Sequence, residues 1–147
     1  MIFLSLGSNQ GDLTENLQSA RTLLLDSGIA IVAASSELTT KAWGIENQPD
    51  FLNQVLLVDF TDGFPEEKNP HTLLYVCQSV EKKMGKKMCE ETGYVKWGPR
   101  IIDIDILQYD DSRYDEAHLT LPHHTMGKDY IVKLIQEVIA KKGYLLS

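Results

Sequence analysis

The sequence predicts an α+β domain whose sheet is covered by helices on both faces, in a three-layer α/β/α arrangement. Short runs rich in Ile, Val and Leu alternate with longer stretches in which apolar residues recur at helical spacing. Through Leu107 the order is strand, helix, strand, strand, helix, strand, which is the ferredoxin-like βαββαβ pattern with an antiparallel or mixed sheet. An amphipathic stretch from about Lys128 to Lys142, closed by Gly143, is expected to add a C-terminal helix over the second sheet face.

The first half of the chain carries three expected strands and one helix. The strands are rich in Ile, Val, Leu and Phe and run from Ile2 to Leu6, from Ile29 to Leu38 and from Phe51 to Phe60. The second and third should pair antiparallel, because a loop without space for a crossover helix joins them. The helix begins at Asp12, which forms a capping-box pattern with Glu15, and ends at Gly28.

The second half opens with a helix start signal. Asn69 supplies a capping side chain, and Pro70 suits the first helical position. Apolar residues then recur at helical spacing, which places Cys77 in the core, until Gly85 ends the helix.

Composition restricts the class of protein. A chain of 147 residues fits one domain, residues 1–147, and 43% hydrophobic with 24% charged residues is typical of a globular protein. The net charge of −7 argues against a general nucleic-acid binder. Two cysteines and an N-terminus without a signal-peptide pattern predict a reducing, cytoplasmic setting, and no apolar run is long enough to span a membrane.

The stretch from Lys96 to Leu107 holds the strongest chemical signal. Large aliphatic residues alternate from Ile101 onward, as in a buried strand expected at the centre of the sheet, yet Asp103 and Asp105 interrupt them. Residues two apart in a strand project from the same face, so both carboxylates face one point, where Mg²⁺ would relieve their repulsion. Arg100 just before the strand suits a phosphate. The alternative is an edge strand whose solvated face carries two acids.

A second group of residues suits a flat heterocycle. Asn53 follows Phe51 in the expected third strand, and the indole of Trp43 lies in the loop before it. An amide beside aromatic rings can bind the polar edge of such a ring, although an Asn at a strand start is more often a turn residue.

These residues belong to blocks that resemble a known family. Leu6-Gly7-Ser8-Asn9, Gln48-Pro49-Asp50-Phe51-Leu52-Asn53, the stretch from Lys96 to Ile106, and Leu119-Thr120-Leu121-Pro122-His123 resemble, in that order, the 6-hydroxymethyl-7,8-dihydropterin pyrophosphokinases of folate biosynthesis. The third block is the most specific.

The resemblance implies transfer of pyrophosphate from ATP to a reduced pterin, with small molecules as the only partners. It implies that Asp103 and Asp105 bind two Mg²⁺ ions and that Arg100 and Lys86 also act in catalysis. The residues implied for ATP are Gln78, Glu81, Trp97, Arg100, Ile106, His118, Thr120, His123 and Lys128. Those implied for the pterin are Thr40, Trp43, Phe51, Asn53, Asp103 and Tyr130.

The chain departs from the family at several basic positions. Lys86, His118 and Lys128 stand where arginines are usual. Lysine cannot make the paired hydrogen bonds that arginine makes to phosphate, so triphosphate binding is expected to be weaker. If His118 and His123 lie beside the triphosphate, ATP binding should take up protons near neutral pH.

Two other functions remain compatible with the residues alone. A two-metal nucleotidyl transferase can share the Asp-x-Asp strand, but it should carry a basic groove that this acidic chain lacks in its composition. A non-catalytic small-molecule-binding module of ferredoxin-like fold would need no metal.

Overall fold

A computed structural model describes residues 1–41, 49–85 and 101–146 of the chain, with the side chains up to residue 143. The main sheet contains β1 (Ile2–Ser8), β2 (Ile29–Ala34), β3 (Leu38–Thr40), β4 (Phe51–Phe60) and β5 (Asp103–Tyr109). A small ribbon pairs β6 (Tyr114–Asp115) with β7 (Thr120–Leu121). The helices are α1 (Leu13–Asp26), α2 (Pro70–Lys83) and α3 (Asp129–Leu146), the last preceded by a 3₁₀ turn (His124–Gly127).

The strands follow the order β2-β4-β1-β5, and β3 also pairs with β4. Every pairing among these described strands is antiparallel, as the order of elements predicts. Two start signals are confirmed as well. The Asp12 side chain accepts a hydrogen bond from Glu15 N at 3.1 Å, and Asn69 Oδ1 accepts one from Thr72 N at 2.9 Å.

Two apolar clusters lie on opposite faces of the sheet, so the α+β, three-layer expectation is confirmed. One cluster joins β1, β4 and β5 to α1 and α2, and Cys77 is fully buried in it. The other joins the same strands to α3 through Phe3, Val55, Leu107, Ile131 and Leu134. Alternate residues of each strand therefore belong to different layers.

The expected strand from Ile29 to Leu38 is wrong in its continuity, because Ser35 to Glu37 separate β2 from β3. The hydroxyl of Ser35 accepts from Val55 N at 2.9 Å and donates to Ser36 O at 2.8 Å. Glu137 on α3 accepts from both the backbone N and the hydroxyl of Ser36. Side-chain hydrogen bonds, most of them to residues distant in the chain, thus replace the strand ladder here.

Three other expectations need correction. The aspartate strand begins at Asp103 rather than Ile101, and in the described chain it is the last strand of the sheet order rather than a central one. Gly143 does not end the last helix, which continues to Leu146. Gly28 and Gly85 do end their helices, at φ values of 92° and 86°, whereas Gly143 lacks the positive φ that stops a helix.

None of the helices in the described residues has both the length and the apolar character to cross a membrane. The single-domain organisation and the cytoplasmic setting stay predictions.

Candidate active site

The two aspartates of β5 lie at the edge of the sheet on the face that α3 covers. Asp103 pairs with Gly7 of β1 and Asp105 with Ser5. Leu107, two residues further, packs under α3, whereas Ile104 and Ile106 point to the opposite layer. The Asp105 side chain is 52% exposed. A strand at the edge of a sheet is accessible from the side as well as from one face, so its carboxylates can meet ligands from two directions.

Glu81 attaches α2 to this strand. The residue is only 8% exposed, and its Oε2 accepts a hydrogen bond from the backbone N of Ile104 at 3.0 Å. Ile104 lies between the two aspartates, so this bond fixes the backbone from which both project. Burial raises the pKa of the nearby Cys77 thiol, and the charges of Glu81 and Asp105 raise it further. The thiol therefore stays protonated, and its position in the core is as expected.

A pocket of about 840 Å³ lies along the edge of β5, between α2 and the segment around β7. Eight residues expected at the metal or nucleotide sites line it: Gln78, Glu81, Asp103, Asp105, Ile106, His118, Thr120 and His123. Lys128 is not among the lining residues. Lys86, Trp97 and Arg100 lie outside the described residues.

His123 reaches the aspartates from the 3₁₀ turn. Its Nε2 lies 4.0 Å from Asp105 Oδ1, and its Nδ1 bonds the backbone N and hydroxyl of Thr125. Partial burial lowers the pKa of His123 to about 4, and the charges of His124 and Lys128 contribute. In the ligand-free protein His123 is therefore neutral near pH 7, and proton uptake at this residue on ATP binding stays a prediction. Proton uptake at His118, which is exposed, also stays a prediction.

The described residues among those expected around the pterin gather on the α3 face. Asn53 of β4 and Asp103 of β5 both lie opposite Gly7 of the central β1, so the three form a row across the sheet. Thr40 of β3 lies outside this row, where it pairs with Phe51 of β4. Its hydroxyl accepts a hydrogen bond from Asn53 Nδ2 at 2.6 Å. Asn53 is therefore a buried strand residue, not a turn residue.

Tyr130 at the start of α3 borders the same region. Its ring packs against the apolar cluster between α3 and the sheet. Burial raises the pKa of its hydroxyl, and the charge of Asp105 raises it further. Trp43 lies outside the described residues.

Known proteins identify this arrangement. The family model described as 7,8-dihydro-6-hydroxymethylpterin-pyrophosphokinase matches residues 3–140. The chain belongs to this family. A 2-amino-4-hydroxy-6-hydroxymethyldihydropteridine pyrophosphokinase of Methylorubrum extorquens is 38% identical over 122 residues, which are 82% of this chain and 70% of that protein. The enzyme of the same name from Aquifex aeolicus is 38% identical over 138 residues, 93% of this chain and 79% of its own.

A longer relative shares the same region. The folic acid synthesis protein fol1 of Schizosaccharomyces pombe is 36% identical over 122 residues, which are only 15% of its length. The region that matches this chain therefore also occurs as one part of a longer protein. The members of the family are diphosphokinases, so the chain is assigned as an enzyme, a pyrophosphoryl transferase of folate synthesis. This assignment disfavours both the nucleotidyl transferase and the non-catalytic module.

The donor set fits the divalent metal of such enzymes. No cluster of three or more His, Cys, Asp or Glu side chains suited to a metal occurs in the described part of the chain. Asp103 and Asp105 form a carboxylate pair instead. Mg²⁺ is commonly held by one or two carboxylates together with substrate phosphates and water, so a pair of this kind is appropriate.

Sequence reasoning missed part of the site. Tyr75 lines the pocket along β5 with 66% of its surface exposed, one helical turn before Gln78 on the same face of α2. The i, i+3 spacing was a usable signal. Gly7 and the backbone bond of Glu81 were missed as well, and these depend on strand register, which spacing along one chain does not reveal.

Proposed function

We propose that the chain transfers the β,γ-pyrophosphoryl group of ATP to the hydroxymethyl oxygen of 6-hydroxymethyl-7,8-dihydropterin. A bond forms between that oxygen and the β-phosphorus, the bond from the β-phosphorus to the bridging oxygen of the α-phosphate breaks, and AMP leaves. The hydroxyl proton is released. The observation that supports this most directly is the position of Asp103 and Asp105. Both line the pocket along β5, and Asp103 also belongs to the row with Gly7 and Asn53.

Asp103 and Asp105 would hold two Mg²⁺ ions. Bound there, the metals would neutralise phosphate charge and align the reacting groups. Glu81 contributes by fixing the strand between the two aspartates.

The pocket along β5 is the proposed ATP site. Gln78, Ile106 and Thr120 line it from three different elements. His118 and His123 add hydrogen-bond donors from the segments on either side of β7. Lys128 acts near His123, whose pKa it lowers. Lys86, Trp97 and Arg100 complete the proposed triphosphate contacts, with Arg100 offering paired hydrogen bonds to phosphate.

The α3 face beside Gly7 is the proposed pterin site. Phe51 and Tyr130 supply aromatic rings, Trp43 a third, and Asn53 a polar contact set by Thr40. Asp103 lies at the other end of the row, where the hydroxymethyl group would meet the phosphates.

Product analysis tests the reaction. Incubation with ATP, Mg²⁺ and the reduced pterin should give AMP and the pterin pyrophosphate in equal amounts. Formation of ADP, or ATP hydrolysis that does not require the pterin, would contradict the proposal.

Asp105→Asn tests the metal role. Removing one of two carboxylates should lower turnover by about a hundredfold or more, because the metals supply several kcal/mol of charge stabilisation. It should also weaken Mg²⁺-dependent binding of an ATP analogue in calorimetry. Asp111→Asn, on the exposed turn after β5, is the matched control and should behave as the wild type. Equal Mg²⁺ dependence in both variants would exclude the metal role.

A further inference from the structure

The side-chain amide of Asn53 has a fixed orientation in this fold. Its Nδ2 lies 2.6 Å from Thr40 Oγ1, 3.3 Å from Leu38 O and 3.5 Å from Phe51 O. A hydroxyl can donate or accept, but the two backbone carbonyls only accept. The group that faces them must be the NH₂, so the amide cannot be rotated by half a turn without setting oxygen against oxygen.

The two hydrogens of this NH₂ are thereby engaged within the protein. Asn53 is left with its carbonyl oxygen, Oδ1, as the atom to offer a ligand. No donor among the residues that the structure describes bonds Oδ1. Asn53 therefore acts as an acceptor at the candidate pterin site.

Gly7 provides the space for this oxygen. A Cβ at Gly7 would lie 3.3 Å from Asn53 Oδ1 and 3.6 Å from Phe51 Cδ1. The first distance is tighter than an ordinary contact, and the hydrogen bond to Thr40 opposes any retreat of the amide. The backbone of Gly7 is ordinary strand without a positive φ, so conformation does not require glycine here. Glycine is needed here because a side chain would come too close to the amide of Asn53.

We propose that Gly7 and Thr40 are positioning residues that hold Asn53 as a hydrogen-bond acceptor, so that the pterin meets it with a donor edge, an N–H or amino group of its ring. The inference rests on the proposed function, since it names the ligand edge that this site selects. The hydroxyl of Thr40 then acts through Asn53.

Affinity measurements on a set of matched variants test the proposal. Binding of the reduced pterin is followed by fluorescence, and binding of a non-hydrolysable ATP analogue by calorimetry. Gly7→Ala and Thr40→Val should each weaken pterin binding by about three- to thirtyfold, the usual effect of losing or misplacing one hydrogen bond. The ATP analogue should bind as before. Gly63→Ala is the control, because a Cβ there meets no atom within 4 Å.

Two comparisons separate positioning from a general structural defect. Thr40→Ser keeps the hydroxyl and should restore pterin affinity. In an Asn53→Ala background, Gly7→Ala and Thr40→Val should cause no further loss, because the group that they position is gone. A loss of the same size in that background would overturn the proposal. If Gly7→Ala does not fold, the Thr40→Val and Thr40→Ser pair decides alone.

The donor edge has its own test. A pterin analogue whose amino group is replaced by hydrogen and whose ring N–H is methylated should bind the wild type more weakly than the parent pterin, but both should bind Asn53→Ala equally. Equal binding of the two ligands to the wild type would overturn the acceptor role. A wild type that binds no reduced pterin would instead refute the proposed function, whereas normal pterin binding with unaffected variants would refute this inference alone.

Discussion

Asp103 and Asp105 could be singled out from sequence because their chemistry conflicts with their surroundings. Asp is a poor strand former, and both residues interrupt a run of aliphatic side chains. The structure places them on one sheet face, as the two-residue period of a strand requires. The alternative of an edge strand was correct about position, since β5 ends the sheet order in the described chain. An edge position is compatible with a metal site, because it leaves the carboxylates accessible.

A single substitution at His118 tests the proposed role of the pocket along β5. His118→Arg should strengthen binding of an ATP analogue by about three- to thirtyfold, because arginine is permanently charged and can make paired hydrogen bonds to phosphate. Calorimetry measures the change. His71→Arg adds the same charge at a histidine that does not line the pocket, where His71 bonds Glu116. Equal gains in the two variants would mean that only net charge matters and that His118 does not face the phosphates.

At the scale of elements, α2 and β5 act together through Glu81. An edge strand has one row of backbone groups without a strand partner. Glu81 satisfies one of them, the N–H of Ile104, while the helix buries the neighbouring apolar residues. The geometry of the aspartate pair therefore depends on how α2 packs.

Glu81→Ala should destabilise the protein by about 1–3 kcal/mol, since a buried backbone N–H loses its acceptor. Glu81→Gln retains an oxygen acceptor and should cost less. Urea unfolding gives both values, and the exposed Glu67→Ala is the control. Equal stability of Glu81→Ala and Glu67→Ala would show that the bond to Ile104 contributes nothing.

The junction between β2 and β3 is held by α3 in a pH-dependent way. Slight burial tends to raise the pKa of Glu137, but hydrogen bonds from the backbone and hydroxyl of Ser36, and the nearby Lys141, lower it overall. A carboxyl whose pKa is lowered in the folded state stabilises the protein above its unfolded pKa. That contribution is lost as pH falls through the folded pKa.

Glu137→Gln should therefore be less stable than the wild type near neutral pH, by less than about 1 kcal/mol because the pair is largely solvated. The difference should shrink as the pH falls below about 4.5, the ordinary pKa of glutamate. Urea unfolding across this range measures it. Glu66→Gln, an exposed change, should show no such convergence. A stability difference that does not change with pH would exclude the charge of Glu137 as its cause.

At the scale of the whole molecule, the sheet separates two layers with different tasks. The α1–α2 layer contains the larger apolar cluster and, at its edge, the candidate nucleotide pocket. The α3 layer covers Phe3, Val55 and Leu107, and the row from Asn53 to Asp103 lies on that same face. The two aspartates on β5 belong to both regions, which brings the two proposed substrates together.

Leu134→Ala tests the contribution of the α3 layer. The residue is 1% exposed under the sheet, so the change should cost about 2–5 kcal/mol through lost burial and a cavity. Val132→Ala, 39% exposed on the same helix, should change stability by less than about 0.5 kcal/mol. Similar small losses for both in urea unfolding would mean that α3 adds little to the core.

The sequence by itself determined the order of elements, most of their ends, the family and the aspartate pair. These follow from local chemistry: caps at Asp12 and Asn69, glycines at positive φ after α1 and α2, and residues two apart in one strand. The break after Ala34 was not predictable in this way. Its cause is the bonding of Ser35 to Val55 and of Ser36 to Glu137, residues distant in the chain.

Only the tertiary structure decided the edge position of β5, the bond from Ile104 to Glu81 and the row of Asn53, Gly7 and Asp103. Each depends on which strand lies beside which and in what register. It also decided the low pKa of His123, because burial beside His124 and Lys128 lowers it. Periodicity reveals which residues share a face of one element, but long-range packing sets their neighbours across elements.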